Sequence, residues 1–439
     1  MTTTSTSAPS PVLPQPSAKK AILVQKFGGS SVADVEKIKH VASLVAQAHD
    51  EGFSVLATVS AMGKTTDGLV GLAQAIMPHP EGREFDMLLA TGEMVSAALL
   101  AMTLQHMGYK AIALNGHQAG IRVEDEYNKA RIQAIHTQEV QRLLADGNIV
   151  IVTGFQGTNS KQEFVTLGRG GSDTTAVALA GALNATRCDI YTDVPGVFST
   201  DPRIVPHAVR LNEIAFIEMM ELARLGAKVL HPRSVETARR LNVPLRVCST
   251  FQPENKGTLV VNENALQHPL PVTGVACDKN QARLAVVNVP DQPGIAAQVF
   301  NQLAQAGVSV DMIIQSLGAD GQTNDIAFTV ASGDLPKAIT LMEALLPQLG
   351  GESIQVDEAI AKVSVVGVGM IDRPGIAADM FNALSDAGIN IKMISTSEIK
   401  ISCLVDRAEA DAAVRCIHDR FFQLGADNQV RFIDEKTGY

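Results

Sequence analysis

The chain has 439 residues, 46% of them hydrophobic and only 4% aromatic, with a formal net charge of −10 at pH 7. That length exceeds one ordinary core and sets an expectation of two or three domains. The acidic balance, without a dense basic stretch, argues against a nucleic-acid partner. The aromatic-poor composition asks for a core of Ala, Val, Leu and Ile, as when helices pack on a parallel sheet.

Residues 1–19 are rich in Ser, Thr, Pro and Ala. They lack the apolar centre of a secretion signal and read as a disordered tail. From Ala21 onward, apolar runs alternate with helical segments. Strands are expected at 21–25, 55–59, 149–153 and 188–191, and helices from about Val32, at 88–107 and at 174–185. The alternation predicts an α/β layered domain with a mainly parallel sheet, placed at 20–262. In such sheets ligands bind beyond the carboxyl ends of the strands, where the Gly-rich segments of this chain fall. The most apolar stretch, 94–104, is too short to cross a bilayer, so no membrane is expected as a partner.

A polar linker follows at 263–271, and beyond it lies an internal repeat. Asp291, Pro293, Gly294, Ile295, Ala296 and Phe300 return as Asp372, Pro374, Gly375, Ile376, Ala377 and Phe381, each 81 residues later. Each copy reads as a βαββαβ unit of ferredoxin-like plan, set at 272–355 and 356–439. Units of this kind pair through sheet edges or helix faces, so an oligomer is expected. The five cysteines are scattered without metal-ligand spacing, which suits a reducing, cytoplasmic setting.

Three Gly-rich or polar segments point to phosphate chemistry. Lys26 precedes Gly28 and Gly29 at a strand end, where bare backbone N–H groups and a following helix terminus suit phosphate oxygens. It is not a Walker A loop, because the Lys comes before the glycines. Gly168, Arg169, Gly170 and Gly171 lead through Ser172 and Asp173 into a helix. Asp173 could hold Lys26, orient a metal or cap that helix, and Arg169 offers a planar fork for a carboxylate. Thr192, Asp193, Ser199, Thr200, Asp201, Pro202 and Arg203 string polar turns after a strand and suit a nucleotide. Thr91, Gly92 and Glu93 open or interrupt the long helix. An isolated Glu there would ordinarily face solvent.

Taken in order, the segment from Val24 to Ser31, the segment from Val59 to Gly63, Thr91 to Glu93, Gly168 to Thr175 and Tyr191 to Arg203 resemble the five motif blocks of the aspartate kinases. These belong to the amino-acid kinase superfamily, with its carbamate kinase-like α/β/α domain. The tandem repeat resembles their two ACT regulatory modules, in the short form without a fused dehydrogenase. The resemblance implies ATP with Mg²⁺ as phosphoryl donor and L-aspartate as acceptor. It implies no metal ligands from the protein itself. It implies that Lys26 offsets charge on the transferring group and that Phe27, Gly28 and Gly29 lie against ATP. Ser60, Ser172, Thr192, Asp193, Ser199, Thr200, Asp201, Pro202, Arg203 and Lys228 would complete that site.

For aspartate, it implies Glu93 at the α-ammonium, Arg169 at a carboxylate, and Thr66, Gly170, Gly171 and Ser172 nearby, with Asp173 organising Lys26. An amino-acid effector, lysine or threonine or both, would meet Asp291, Gly294, Ile295, Ala296, Ser309, Val310, Asp311 and Gln315. In the second copy it would meet Ile376, Ala377, Asn390, Ile391 and Glu398. Asp311 corresponds to Lys392 and Gln292 to Arg373, read either as non-equivalent effector sites or as different packing surfaces. Other amino-acid kinases, or a catalytically inactive amino-acid sensor, are the competing readings. The ACT repeat speaks against the first and the retained Lys26, Glu93, Arg169 and Asp173 against the second.

Overall fold

The computed structural model describes residues 20–226, 229–318, 321–370, 373–424 and 430–432. The N-terminal tail, Lys228 and Asp372, each the subject of an expectation above, lie outside the described residues. In chain order the kinase half comprises β1 (Ile22–Phe27), α1 (Val35–Asp50), β2 (Ser54–Val59), α2 (Thr65–Ile76), α3 (Arg83–His106), β3 (Ala111–Leu114), β4 (Ile121–Val123) and β5 (Ile132–Ile135). It continues through α4 (Gln138–Ala145), β6 (Ile149–Thr153), β7 (Gln156–Thr158), β8 (Phe164–Thr166), α5 (Gly171–Ala182) and β9 (Arg187–Thr192). It ends with β10 (Glu213–Ala215), α6 (Phe216–Arg224), α7 (Pro232–Leu241), β11 (Leu245–Ser249) and β12 (Thr258–Val261).

The main sheet has eight strands in the order β10-β12-β11-β9-β1-β2-β6-β3, and β9, β1, β2 and β6 run parallel. Alternate residues of each central strand enter opposite cores, as the two-residue period of a strand requires. Val24, Leu56, Val150 and Ile190 pack with α5, α6 and α7, whereas Leu23, Val55, Ile149 and Ile151 pack with α1 and α3. The result is a layered α/β domain, as the alternating pattern predicts, with the three α/β/α layers that the resemblance implies. A smaller sheet, β5-β4-β7-β8, flanks it. The chain leaves β1 toward β2 on one side and returns through β9 on the other. This makes β1 the point where strand order reverses, and its carboxyl end opens a crevice.

Helix α1 starts at Val35, later than expected, because the Asp34 side chain accepts the Lys37 N–H at 2.9 Å and caps it. Helix α3 spans 24 residues and passes through Thr91, Gly92 and Glu93 without a break. By length and composition it could cross a bilayer, a test that the buried core helix of a globular domain also passes. Ten of its residues are buried in the domain, and two of those, Asp86 and Glu93, are acids.

The regulatory half comprises β13 (Gly274–Pro290), α8 (Ile295–Gln305), β14 (Val310–Leu317), β15 (Thr323–Ala331), α9 (Leu335–Leu349) and β16 (Ser353–Val366). It closes with α10 (Ile376–Asp386), β17 (Met393–Ser397), β18 (Lys400–Asp406), α11 (Ala410–Phe421), β19 (Phe422–Leu424) and β20 (Val430–Phe432). Both repeats share one six-stranded sheet, β14-β15-β13-β16-β18-β17. The long strands β13 and β16 are divided between them. Leu284 and Val286 enter the core under α8 and α9, whereas Val275 and the half-buried Cys277 join the core under α10 and α11. A border between 355 and 356 therefore does not follow the packing. Residues 274–278 pair with 362–366 and supply the last strand of the second repeat.

Helix α6 fastens this half to the kinase domain. Buried Glu218 accepts the Ala215 and Val368 N–H groups and the Thr273 hydroxyl. Nearby, Lys400 meets Glu221 at 2.9 Å.

Candidate active site

A cleft of about 820 Å³ opens at the carboxyl ends of β1, β2 and β6. Backbone hydrogen bonds lace its floor. The Ser60 N–H donates to Phe27 O at 3.0 Å, the Gly63 N–H to Gly29 O at 3.0 Å, and the Gly154 N–H to Val59 O at 2.9 Å. Gly29 is required by this close approach, because a Cβ there would lie 2.9 Å from the Ala61 carbonyl oxygen. Lys26 ends β1 inside the cleft and meets Asp173 Oδ1 at 2.6 Å, both side chains being largely shielded from solvent.

Asp173 sits in the first turn of α5, whose N-cap is Gly170 with no side-chain cap. Of the three roles open to Asp173, holding Lys26 is thus the one its contacts display. The positive end of that helix thus falls at the residues that line the cleft with Lys26. Helix α5 begins at Gly171 rather than near Thr174, which brings Ser172 and Asp173 into its first turn.

Glu93 reaches the same cleft from α3. Its Oε1 accepts the Ala61 N–H at 3.1 Å, while Oε2 is buried without a hydrogen-bond partner. Burial pushes its carboxyl up to about 7 from the ordinary value near 4.5. Gly92 makes this possible, since a Cβ there would fall 2.8 Å from the Ala61 Cβ. The helix can therefore press against the turn after β2. Glu93 is a buried acceptor, not the solvated side chain that an isolated helical Glu suggests.

Arg169 is exposed at the cleft wall, and Thr66 lines it from α2 together with Gly170, Gly171 and Ser172. Residues without a signal in the sequence also take part. Buried Asp86 accepts the Asn128 N–H at 2.9 Å, the Thr166 N–H at 3.0 Å and the Thr166 hydroxyl at 2.6 Å. It thereby ties two wall segments to α3. Phe155, at φ 69°, and the segment 78–81 complete the rim. Only the three-dimensional pairing of Asp86 with residues 42 and 80 positions away reveals its part.

The expected nucleotide segment lies beside this cleft rather than in its lining. Thr192 ends β9, next to β1, and its hydroxyl donates to Asp193 at 3.1 Å. Asp201 and Arg203 pair at 2.6 Å with Arg203 exposed, Thr200 is buried, and Pro202 lies between. Two side chains depart from the expectation. Phe27 is fully buried and stacks on Tyr191 at 4.7 Å, so only its backbone faces the loop. The Ser199 hydroxyl is also fully buried, accepts the Val209 N–H at 3.0 Å and meets His418 Nε2 at 2.9 Å, which directs it toward the second repeat.

Among the expected effector residues, Gly294, Ile295 and Ala296 form the start of α8, and Asp291 accepts from Asn324 at 2.8 Å. Ser309, Val310, Asp311 and Gln315 lie at or before edge strand β14, while Asn390, Ile391 and Glu398 flank the opposite edge strand β17. Ile376 and Ala377 begin α10. Asp311 is paired with Lys362, and Lys392 meets Asp357 at 2.8 Å and Asp406 at 2.6 Å. The charge reversal between the repeats thus gives each its own packing pair on or beside β16.

Comparison with known proteins places this geometry in a family. The Amino acid kinase family profile matches residues 21–249, and an ACT domain profile matches 284–345 and 363–421. An aspartokinase of Geobacillus stearothermophilus is 50% identical over 400 residues, covering 91% of this chain and 97% of the relative. One from Mycolicibacterium smegmatis is 46% identical over 414 residues, covering 93% and 98%. The solved structure of E. coli aspartokinase III in complex with aspartate and ADP aligns with a TM-score of 0.75 at 30% identity, over 91% of this chain and 99% of that one. The chain therefore belongs to the aspartokinases, enzymes built from an amino-acid kinase domain and ACT modules.

Proposed function

We propose that this enzyme transfers the γ-phosphoryl group of Mg-ATP to the β-carboxylate of L-aspartate, giving 4-phospho-L-aspartate. This is the first step toward lysine, threonine, methionine and diaminopimelate, in the cytoplasm. The observation that carries the reading is the buried, unpartnered Oε2 of Glu93 in the same cleft as Lys26 and exposed Arg169. That arrangement offers an anion to an ammonium, a guanidinium to a carboxylate, and a lysine to a phosphoryl group, which together describe an amino dicarboxylate facing a nucleotide.

A carboxylate is already a competent nucleophile, so the site needs alignment and charge neutralisation rather than a strong base. Arg169 and Glu93 fix the acceptor by its two ends. Lys26, held by Asp173, and the N–H groups of Gly29 and of the α5 terminus receive the charge that builds on the transferred group, whereas the Gly28 N–H, expected to join them, donates to the Tyr191 carbonyl at 3.3 Å. Mg²⁺ would arrive with ATP and would offset the charge of its phosphate oxygens.

In the regulatory half, the expected effector residues of the two repeats lie at opposite edges of one sheet, so a shared effector site requires two chains. We infer a homo-oligomer, or an assembly with a separate regulatory chain, responding to lysine, threonine or both. A coupled assay with aspartate, glutamate and N-acetylglutamate as acceptors tests the reaction. Turnover with aspartate is expected, and its absence refutes the reading. Inhibition by lysine and threonine, singly and together, identifies the effector.

A further inference from the structure

We propose that His207, His418 and Asp419 form a binding site for a divalent transition metal ion of the zinc class, in the seam between the kinase domain and the second repeat. His207 belongs to the kinase segment after Asp201, whereas His418 and Asp419 lie in the last turns of α11. One donor atom from each lies within 4.8 Å of the others. His207 Nε2 is 2.7 Å from Asp419 Oδ1, and the two imidazoles meet edge to face at 5.4 Å.

Two imidazoles and a carboxylate make a donor set suited to Zn²⁺, Co²⁺ or Ni²⁺ rather than to Mg²⁺ or Ca²⁺. Around a tetrahedral ion with bonds of about 2.0–2.1 Å, such donors stand roughly 3.3 Å apart. The 2.7 Å between His207 Nε2 and Asp419 Oδ1 and the 3.5 Å between His418 Nδ1 and Asp419 Oδ1 bracket that spacing, and water would fill the remaining position.

The second, independent observation is the state of His418. This residue is 0% exposed, stacked on Phe422, and its Nδ1 is buried with no hydrogen-bond partner, 3.5 Å from Asp419 Oδ1. Its other ring nitrogen contacts the Ser199 hydroxyl at 2.9 Å. With the proton on Nε2 directed at that hydroxyl, Nδ1 presents its lone pair to His207 and Asp419. Ordering of a metal-binding imidazole through its far nitrogen is the usual arrangement around such ions. An ion here joins segment 199–209, which includes Asp201 and Arg203, to the regulatory sheet, and so ties the nucleotide side of the kinase domain to the second repeat.

The test uses the full chain, stripped with a chelator and titrated with Co²⁺ by visible absorption, and with Zn²⁺ by calorimetry and thermal unfolding. One Co²⁺ per chain is expected, with the intense visible bands of tetrahedral N/O coordination, and Zn²⁺ raises the unfolding temperature by linkage. His207→Ala and Asp419→Asn alter side chains that are 54% and 55% exposed, so both variants fold. Each is expected to weaken binding by at least about tenfold and to abolish the Zn²⁺-dependent thermal shift. Absence of saturable Co²⁺ binding overturns the proposal. So do bands unchanged in both variants, or thiolate charge-transfer bands that place the ion on cysteines. These are direct binding readouts, independent of whether aspartate is the acceptor.

Discussion

Glu93 and Lys26 face one cleft but answer to different forces, and substitutions separate them. Burial raises the Glu93 carboxyl to about 7. A carboxyl raised in the folded chain contributes stability in full below about 4.5, and that contribution is lost as pH climbs through 7. Glu93→Gln removes the titration. Urea unfolding should find the variant gaining on the parent between pH 5 and pH 8, by up to roughly 3 kcal/mol. The same variant loses the anion for the substrate ammonium, so KM for aspartate should rise about 10- to 100-fold with a smaller change in kcat. At Lys26 the balance reverses. Lys26→Met should lower kcat by about 10²–10³ and destabilise the fold, because Asp173 keeps only 14% exposure and loses its partner. Adding Asp173→Asn should restore the unfolding midpoint without restoring turnover. Recovery of both would remove Lys26 from the chemistry.

Helix α3 shows how elements set the site. Gly92→Ala places a methyl 2.8 Å from the Ala61 Cβ, so a stability loss of about 1–3 kcal/mol is expected despite the better helix propensity of Ala. The Ala61 N–H to Glu93 bond should weaken with it, seen as a raised KM for aspartate. The sequence made the four central strands legible because apolar runs at strand period are local, and β6 occupies the expected 149–153. Glycine lowers helix propensity, so Thr91, Gly92 and Glu93 read as an opening or a break. The reason for Gly92 is a contact with a residue 31 positions earlier, which no local pattern carries. Lys26, Gly29, Glu93 and Arg169 were found from their motifs and do share a cleft. Asp86 was not, because an acid on a helix carries no mark of the backbone N–H groups it will receive. Nor did local pattern separate the Ser199 hydroxyl from the other polar side chains of its segment, since its partner lies 219 residues away.

Across the whole molecule, the kinase domain and the second repeat are joined by Glu218, by Lys400 with Glu221, and by Ser199 with His418. Glu218→Ala would strand the Ala215 and Val368 N–H groups and the Thr273 hydroxyl. A loss of about 3 kcal/mol is expected, with weaker inhibition by the amino-acid effector at unchanged aspartate KM. Thermal unfolding and an effector dose–response curve read the two effects separately. The repeat in the sequence revealed two modules and their βαββαβ plan. It did not reveal that β13 serves both, because identical motifs mark where a unit recurs and not which strand closes its sheet.

That sharing has a consequence for synthesis on the ribosome. Residues 274–278 emerge first, yet the strand they pair with, at 362–366, is made last among their neighbours in the sheet. At ordinary elongation rates the wait is on the order of 5–20 s. During that interval Val275 and Cys277 can meet only Val205, Val272 and their neighbours and lack the α10 and α11 side of their core, while the first repeat can fold on the other half of the same strand. The second repeat is therefore the late-assembling part of the enzyme, and a nascent chain exposed only as far as about residue 358 would hold a first repeat closed by the pairing of 283–287 with 353–357, with the 274–278 strand still lacking its partner at 362–366.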